Sequence, residues 1–176
     1  MSESHAGQID ATYSDGGRTT WRSALLSLSG LTLALSIIGG GIAAYLTYTH
    51  YNEGALVCSV GGGCHTVQES SYATIGPIPI AMLGLGMFLT LAGLAVARIF
   101  DLNWKFIDSD TATMASWGIT LSALLYYAYL VYIEIFVLEA ICQWCVATTV
   151  FTVAIFAVES YRLRSVLAID EDDLID

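Results

Sequence analysis

Charge is what this sequence has least of. Asp, Glu, Lys and Arg make up 12% of its 176 residues, about half of the roughly 25% found in a soluble domain. That scarcity excludes a soluble globular enzyme and a disordered chain, both of which need a solvated, charged exterior. Basic residues are scarcer still: six Lys and Arg stand against sixteen Asp and Glu, a net charge of −10. So few cations cannot neutralise a run of phosphates, and nucleic acid is excluded as a partner. No repeat of solenoid type is visible. The length suits one domain and is short for two.

What the chain does have is long stretches without charge, within a composition that is 56% hydrophobic. Ala24–Thr49, Pro77–Ala97, Thr111–Ile133 and Ala140–Val158 are uncharged runs of 26, 21, 23 and 19 residues. A helix crossing the hydrocarbon core needs about 20 apolar residues. The expected fold is therefore an all-α integral membrane protein, a four-transmembrane-helix bundle. Its helices are predicted at about 22–49, 77–99, 111–138 and 140–161, within a membrane domain spanning 21–164. A cleaved signal peptide is the rival for the first run, but that run far exceeds a signal's apolar core of about 7–15 residues. Residues 1–20 read as a mobile tail and residues 165–176 as an acidic, solvated one.

Orientation follows from the basic residues. Arg18 and Arg22 precede the first run, Arg98 and Lys105 lie between the second and third, and Arg162 and Arg164 follow the fourth. All six fall on one side of a four-span topology, and the loops 51–76 and 134–139 have none. The expectation is a multi-pass cell-membrane protein with both termini cytoplasmic and both cysteine-bearing segments outside.

The cysteines form two close pairs. Cys58 and Cys64 flank a triple glycine, Gly61-Gly62-Gly63, in the loop between the first two helices. Glycine folds back cheaply, so the spacer lets the two sulfurs meet or swing apart. His65 adjoins the pair and reads as a bystander. A short surface helix is expected over 66–72, before Gly76-Pro77-Ile78-Pro79 leads into the second membrane helix. Cys142-Gln143-Trp144-Cys145 opens the fourth helix. Positions i and i+3 share a helix face, and the free amides of a helix start stabilise a thiolate. Thiolate is the reactive form in disulfide exchange. Trp144 reads as an interfacial anchor, with stacking on a flat ligand as the alternative. Glu139 reads as a solvated carboxylate. Two structural disulfides remain open, as does a zinc site of four thiolates or three plus His65.

At these residues the chain resembles the vitamin K epoxide reductase homologues, small membrane proteins that couple disulfide formation to quinone reduction. The resemblance runs from the first helix through the fourth. It rests on Cys58 and Cys64, on Ser70 six residues later, on Gly76-Pro77-Ile78-Pro79-Ile80, and on Cys142-Gln143-Trp144-Cys145. DsbB-type oxidases share the helix number but place their Cys-x-x-Cys in the first outer loop. The resemblance implies that Cys145 faces the quinone, Cys142 exchanges with Cys64, and Cys58 meets an external dithiol protein. It makes Ser70, Trp144 and Thr148 candidates for the quinone pocket alongside Cys145. The electron acceptor implied is a menaquinone- or ubiquinone-type quinone, with no metal. The chain departs from animal members in two places: Pro77–Gly84 lacks an amide side chain, and Thr149 stands where they carry Tyr. Many microbial members are fused to a thioredoxin-like domain, whereas twelve residues follow Arg164 here. The expected partner is therefore a separate thioredoxin-like protein. The competing function class is a non-catalytic assembly or structural membrane protein held by two structural disulfides.

Overall fold

The structure, a computed structural model, describes residues 3–52, 56–58, 63–100 and 109–172, and within these the side chains of 23–168 except 109–110. Gly61, Gly62 and Lys105 lie outside the described residues. Five helices and one hairpin are found among them: α1 (Glu3–Tyr51), α2 (Gly63–Gln68), β1 (Thr74–Ile75), β2 (Ile78–Pro79), α3 (Ile80–Ile99), α4 (Ser109–Phe136) and α5 (Gln143–Asp172). Four of the helices contain stretches long and apolar enough to cross a membrane, Ser23–Tyr51, Ile80–Ile99, Thr111–Phe136 and Gln143–Ala168. The protein is a four-helix membrane bundle, with the Cys58–Cys64 disulfide in the loop between its first two spans.

The ends of the helices differ from the sequence expectation by a few residues or more in several places. α1 starts at Glu3 and α5 runs to Asp172, so helix continues through segments read as tails. Neither extension contains proline, and an established helix propagates more easily than it nucleates. The second membrane helix begins at Ile80, three residues later than expected. Gly76, at φ +63°, turns the chain into the hairpin that pairs Thr74 with Pro79 and Ile75 with Ile78. Pro79 then takes the N-cap position instead of the first helical turn. The short loop helix sits at 63–68 instead of 66–72.

α1 packs against α3 and α5, α4 packs against α5, and the flank between α3 and α4 is the most thinly filled. Lipid is as apolar as leucine, so membrane helices associate through close packing and polar contacts. The α1–α3 seam shows the first. A Cβ on Gly39 would lie 2.5 Å from the fully buried Phe88 ring, so only glycine admits this approach. Hydroxyls supply local satisfaction: Thr47, Thr90, Ser116, Thr120, Ser122 and Thr152 each donate to the carbonyl four residues back.

At the end opposite the cysteines, one ion pair joins all four spans. Arg98 Nη1 on α3 lies 2.9 Å from Glu159 Oε2 on α5, and Arg98 Nη2 lies 3.1 Å from Glu159 Oε1. Thr32 of α1 donates to the same carboxylate at 2.9 Å, and Arg98 donates to Ser116 of α4 at 3.1 Å. Arg162 reaches the Leu25 carbonyl at 3.2 Å and the Ser29 hydroxyl. In sequence, Arg98 and Arg162 stand just past the ends of uncharged runs. Both are buried inside the bundle instead, where their partners on other helices hold them.

Candidate active site

The opposite end gathers both cysteine pairs. Cys58 and Cys64 are joined as a disulfide, and Cys142 and Cys145 are free thiols. Cys64 and Cys142 are both fully buried. Gly63 explains how the loop reaches so deep. A Cβ there would fall 2.7 Å from the Ile141 carbonyl oxygen and 2.9 Å from its nitrogen. Glycine lets α2 press onto backbone next to Cys142, which brings the loop cysteine and the helix cysteine into one seam.

The loop is also pinned beside Cys58. The Val57 N–H donates to the Tyr45 hydroxyl at 3.0 Å, and the Trp144 indole donates to the Val57 carbonyl at 2.9 Å. Tyr45 and Trp144 pack with ring centroids 5.1 Å apart. Trp144 thus ties the loop to α5. It is not among the residues that line the cavity described below.

Cys142 occupies the N-cap position of α5, its carbonyl accepting the first helical bond from Val146 at 3.0 Å. Its sulfur receives a hydrogen bond from the Cys145 thiol, and the amides of Cys145 and Trp144 add to it. Together these hold the Cys142 thiol below its ordinary range, against the opposing effects of burial and the nearby Glu134 charge. Cys142 is therefore the readier thiolate of the pair.

Cys145 faces a cavity of about 80 Å³ between α1, α3, α4 and α5. Ser70, Thr148 and Thr149 also line it, so two of the expected pocket residues beyond the cysteine are brought there. The Ser70 hydroxyl donates to the Val67 carbonyl at 2.7 Å, closing the end of α2. Thr148 donates to the Cys145 carbonyl at 2.9 Å. His65 is exposed on α2, and Glu139 is exposed with φ +50° in the turn between α4 and α5.

Two cavity residues escape the sequence reading. Tyr127 of α4 enters the lining with its hydroxyl beside those of Thr148 and Thr152. Glu134, also of α4, is 5% exposed and lines the same cavity. Its Oε2 accepts the Cys142 N–H at 3.1 Å, and its carboxylate lies within reach of the Cys145 thiol. The signal for Glu134 was present in the sequence. An acid within one helical turn of an apolar span is a functional candidate by default. An uncharged run by definition stops before such a residue, at Ile133. Among the described residues, no group of three or more His, Cys, Asp or Glu is arranged to hold a metal ion.

A membrane bundle with a disulfide-bearing loop pressed onto a Cys-x-x-Cys helix start is the architecture of a membrane thiol oxidoreductase. Residues 31–160 match the vitamin K epoxide reductase family, and the chain belongs to that family. The chain is also 29% identical over 128 residues to the thiol-disulfide oxidoreductase LTO1 of Arabidopsis thaliana. That alignment covers 70% of this chain and 34% of the relative, so the chain spans about a third of the relative's length.

Proposed function

We propose that the protein oxidises a thioredoxin-like dithiol partner and passes the two electrons to a membrane quinone. The observation that carries this reading is the pairing state: a closed Cys58–Cys64 bond beside open Cys142 and Cys145, with Cys145 on a cavity inside the membrane. Family membership supports it, as does the name of the plant relative. On this reading residues 21–164 are the working unit. Both termini face the cytoplasm, and the cysteine end faces the compartment where disulfides form, in keeping with the one-sided basic residues.

The relay follows from thiol–disulfide chemistry. A partner thiolate attacks Cys58, and the partner leaves as a disulfide while Cys58 and Cys64 become thiols. Cys64 then attacks Cys142 of an oxidised Cys142–Cys145 pair, releasing Cys145. Cys58 attacks Cys64 and frees Cys142. The loop is now oxidised and the helix pair reduced, which is the arrangement in the structure. Closing Cys142–Cys145 sends two electrons to the quinone, which takes up two protons to become quinol. The buried seam at Gly63 keeps the exchanging sulfurs together, and the apolar cavity keeps water from the electron acceptor. Ser70, Tyr127, Thr148 and Thr149 make up the hydroxyl-bearing part of the cavity lining, beside which the quinone oxygens would lie.

The test is quinol formation by purified protein supplied with quinone and a reduced thioredoxin-like substrate. The intact protein forms quinol, while Cys142→Ala and Cys145→Ala each fall to background. Turnover by either variant near that of the intact protein overturns the relay.

A further inference from the structure

We propose that Glu134 is the proton carrier of the site, accepting the Cys145 proton as the Cys142–Cys145 bond closes and delivering it to the electron acceptor in the cavity. The inference rests on the quinone-reductase reading above and assigns a role to a residue that reading does not need.

Three observations carry it. Glu134 is a carboxylate buried at 5% exposure in a membrane helix, and among the described residues no cation forms an ion pair with it. An ion so placed is costly, and its persistence needs a reason. Its neighbours are the reacting groups: it accepts the Cys142 N–H through Oε2 at 3.1 Å and lies within reach of the Cys145 thiol. It also lines the cavity that Cys145 faces. One group therefore touches the proton's source and the space where the acceptor must sit.

The balance requires such a group. The Cys145 thiol proton has two acceptors within reach, the Cys142 sulfur and the Glu134 carboxylate. Cys142 cannot keep the proton, because its sulfur is about to bond to Cys145. Two thiols and one quinone give one disulfide and one quinol, so two electrons and two protons cross together. The Cys145 proton passes through Glu134 to one quinone oxygen. The proton that Cys142 lost on ionising returns to the other oxygen from water. The remaining groups around the carboxylate do not compete as bases. α1, α2 and α3 line the cavity with Leu46, Gln68 and Gly84, and the two phenols in the lining, Tyr72 and Tyr127, are hydroxyl groups and no match for a carboxylate as a base.

A bland role also exists: the carboxylate satisfies an orphan amide at the start of α5. Glu134→Gln separates the two, since glutamine keeps an acceptor for the Cys142 N–H and loses the ability to carry a proton. Closure of the Cys142–Cys145 pair is followed with diamide, a small azo oxidant that takes two electrons and two protons and needs no quinone. Glu134→Gln is expected to slow closure by about tenfold or more at neutral pH, within the range for a general base. The deficit narrows as pH rises and hydroxide takes the proton instead. A smaller deficit overturns the proposal, and so does one that pH does not change. Should the variant fail to fold, intact protein in heavy water decides. Closure about twofold slower supports proton transfer in the step, and an unchanged rate overturns it. Because this assay omits quinone, an intact protein that forms no quinol sinks the parent reading and leaves this one to its own result.

Discussion

Two acids are buried in this bundle, and their neighbours are of opposite kinds. Glu159 is fully buried and matched by Arg98 in a two-point ion pair, with Thr32 and Ser116 completing the set. Every helix of the bundle contributes one group to it. Glu134 is nearly as buried, yet its neighbours are an amide and a thiol, and one side opens on a cavity. A charge compensated by an opposite charge has nothing left to do except hold its helices. A charge compensated by weak, exchangeable donors can gain and lose protons. Burial alone does not distinguish structural from chemical acids in a membrane; the identity of the neighbours does.

The largest expected effect breaks the structural side of this comparison. Glu159→Gln leaves the Arg98 guanidinium buried without a counter-charge, and removal of one partner of a buried pair costs about 3–5 kcal/mol. The double variant Arg98→Met/Glu159→Leu removes both charges and recovers most of that loss, as apolar replacements of buried pairs do. Denaturant unfolding in detergent measures both. Glu134→Gln leaves no orphan cation and is expected to unfold within about 1 kcal/mol of the intact protein, the scale of one exchanged hydrogen bond. Equal losses at Glu134 and Glu159 would end the distinction.

A second prediction sharpens the chemical side. Cys145→Ser removes the group that resolves a Cys64–Cys142 bond, so that bond accumulates and is read by non-reducing peptide mass spectrometry. Adding Gly63→Ala places a methyl 2.7 Å from the Ile141 carbonyl oxygen, and backbone there has no flexible end to yield. α2 must back away from the seam. Misplacement by about 1 Å costs reacting groups up to ~10²-fold, so trapping is expected to fall about tenfold or more. Unchanged trapping would mean that the Gly63 contact does not position the sulfurs.

Much of this was legible before folding. Runs without charge found the four spans, because the bilayer penalises charge more strictly than any soluble core does. Spacing found the two cysteine pairs and the thiolate-stabilising helix start. What stayed hidden was set by contacts distant in sequence. Arg98 and Glu159 are 61 residues apart, and no local pattern announces that they meet. The bond from Trp144 to the loop is equally unannounced, since its partner, Val57, lies 87 residues away. Gly76-Pro77 looked like a helix entry because proline suits both a first turn and a hairpin, and the glycine's positive φ decides for the hairpin. Glu134 was hidden for a different reason: a search for uncharged runs discards the very residue that makes a membrane site chemical.

The smallest expected effect concerns which thiol of the pair ionises first. The Cys142 sulfur accepts from the Cys145 thiol and from the amides of Cys145 and Trp144, and these outweigh burial and the Glu134 charge. Its thiolate is thus present at lower pH than that of an ordinary cysteine, whose pKa is about 8.5. The rate of alkylation by a small permeant reagent, followed peptide by peptide, should rise with pH through a midpoint below that value at Cys142. Cys145→Ala removes the largest of the stabilising contacts while leaving the helix amides in place. The Cys142 midpoint should then move upward without reaching that of a buried thiol lacking a helix start. Cys142 is fully buried, so absolute rates will be slow, and the midpoint is the quantity to compare. A Cys142 midpoint at or above the ordinary value in the intact protein would reverse the order of ionisation. Cys145 would then be the resident thiolate, and the proton assigned to Glu134 would have to come from Cys142 instead.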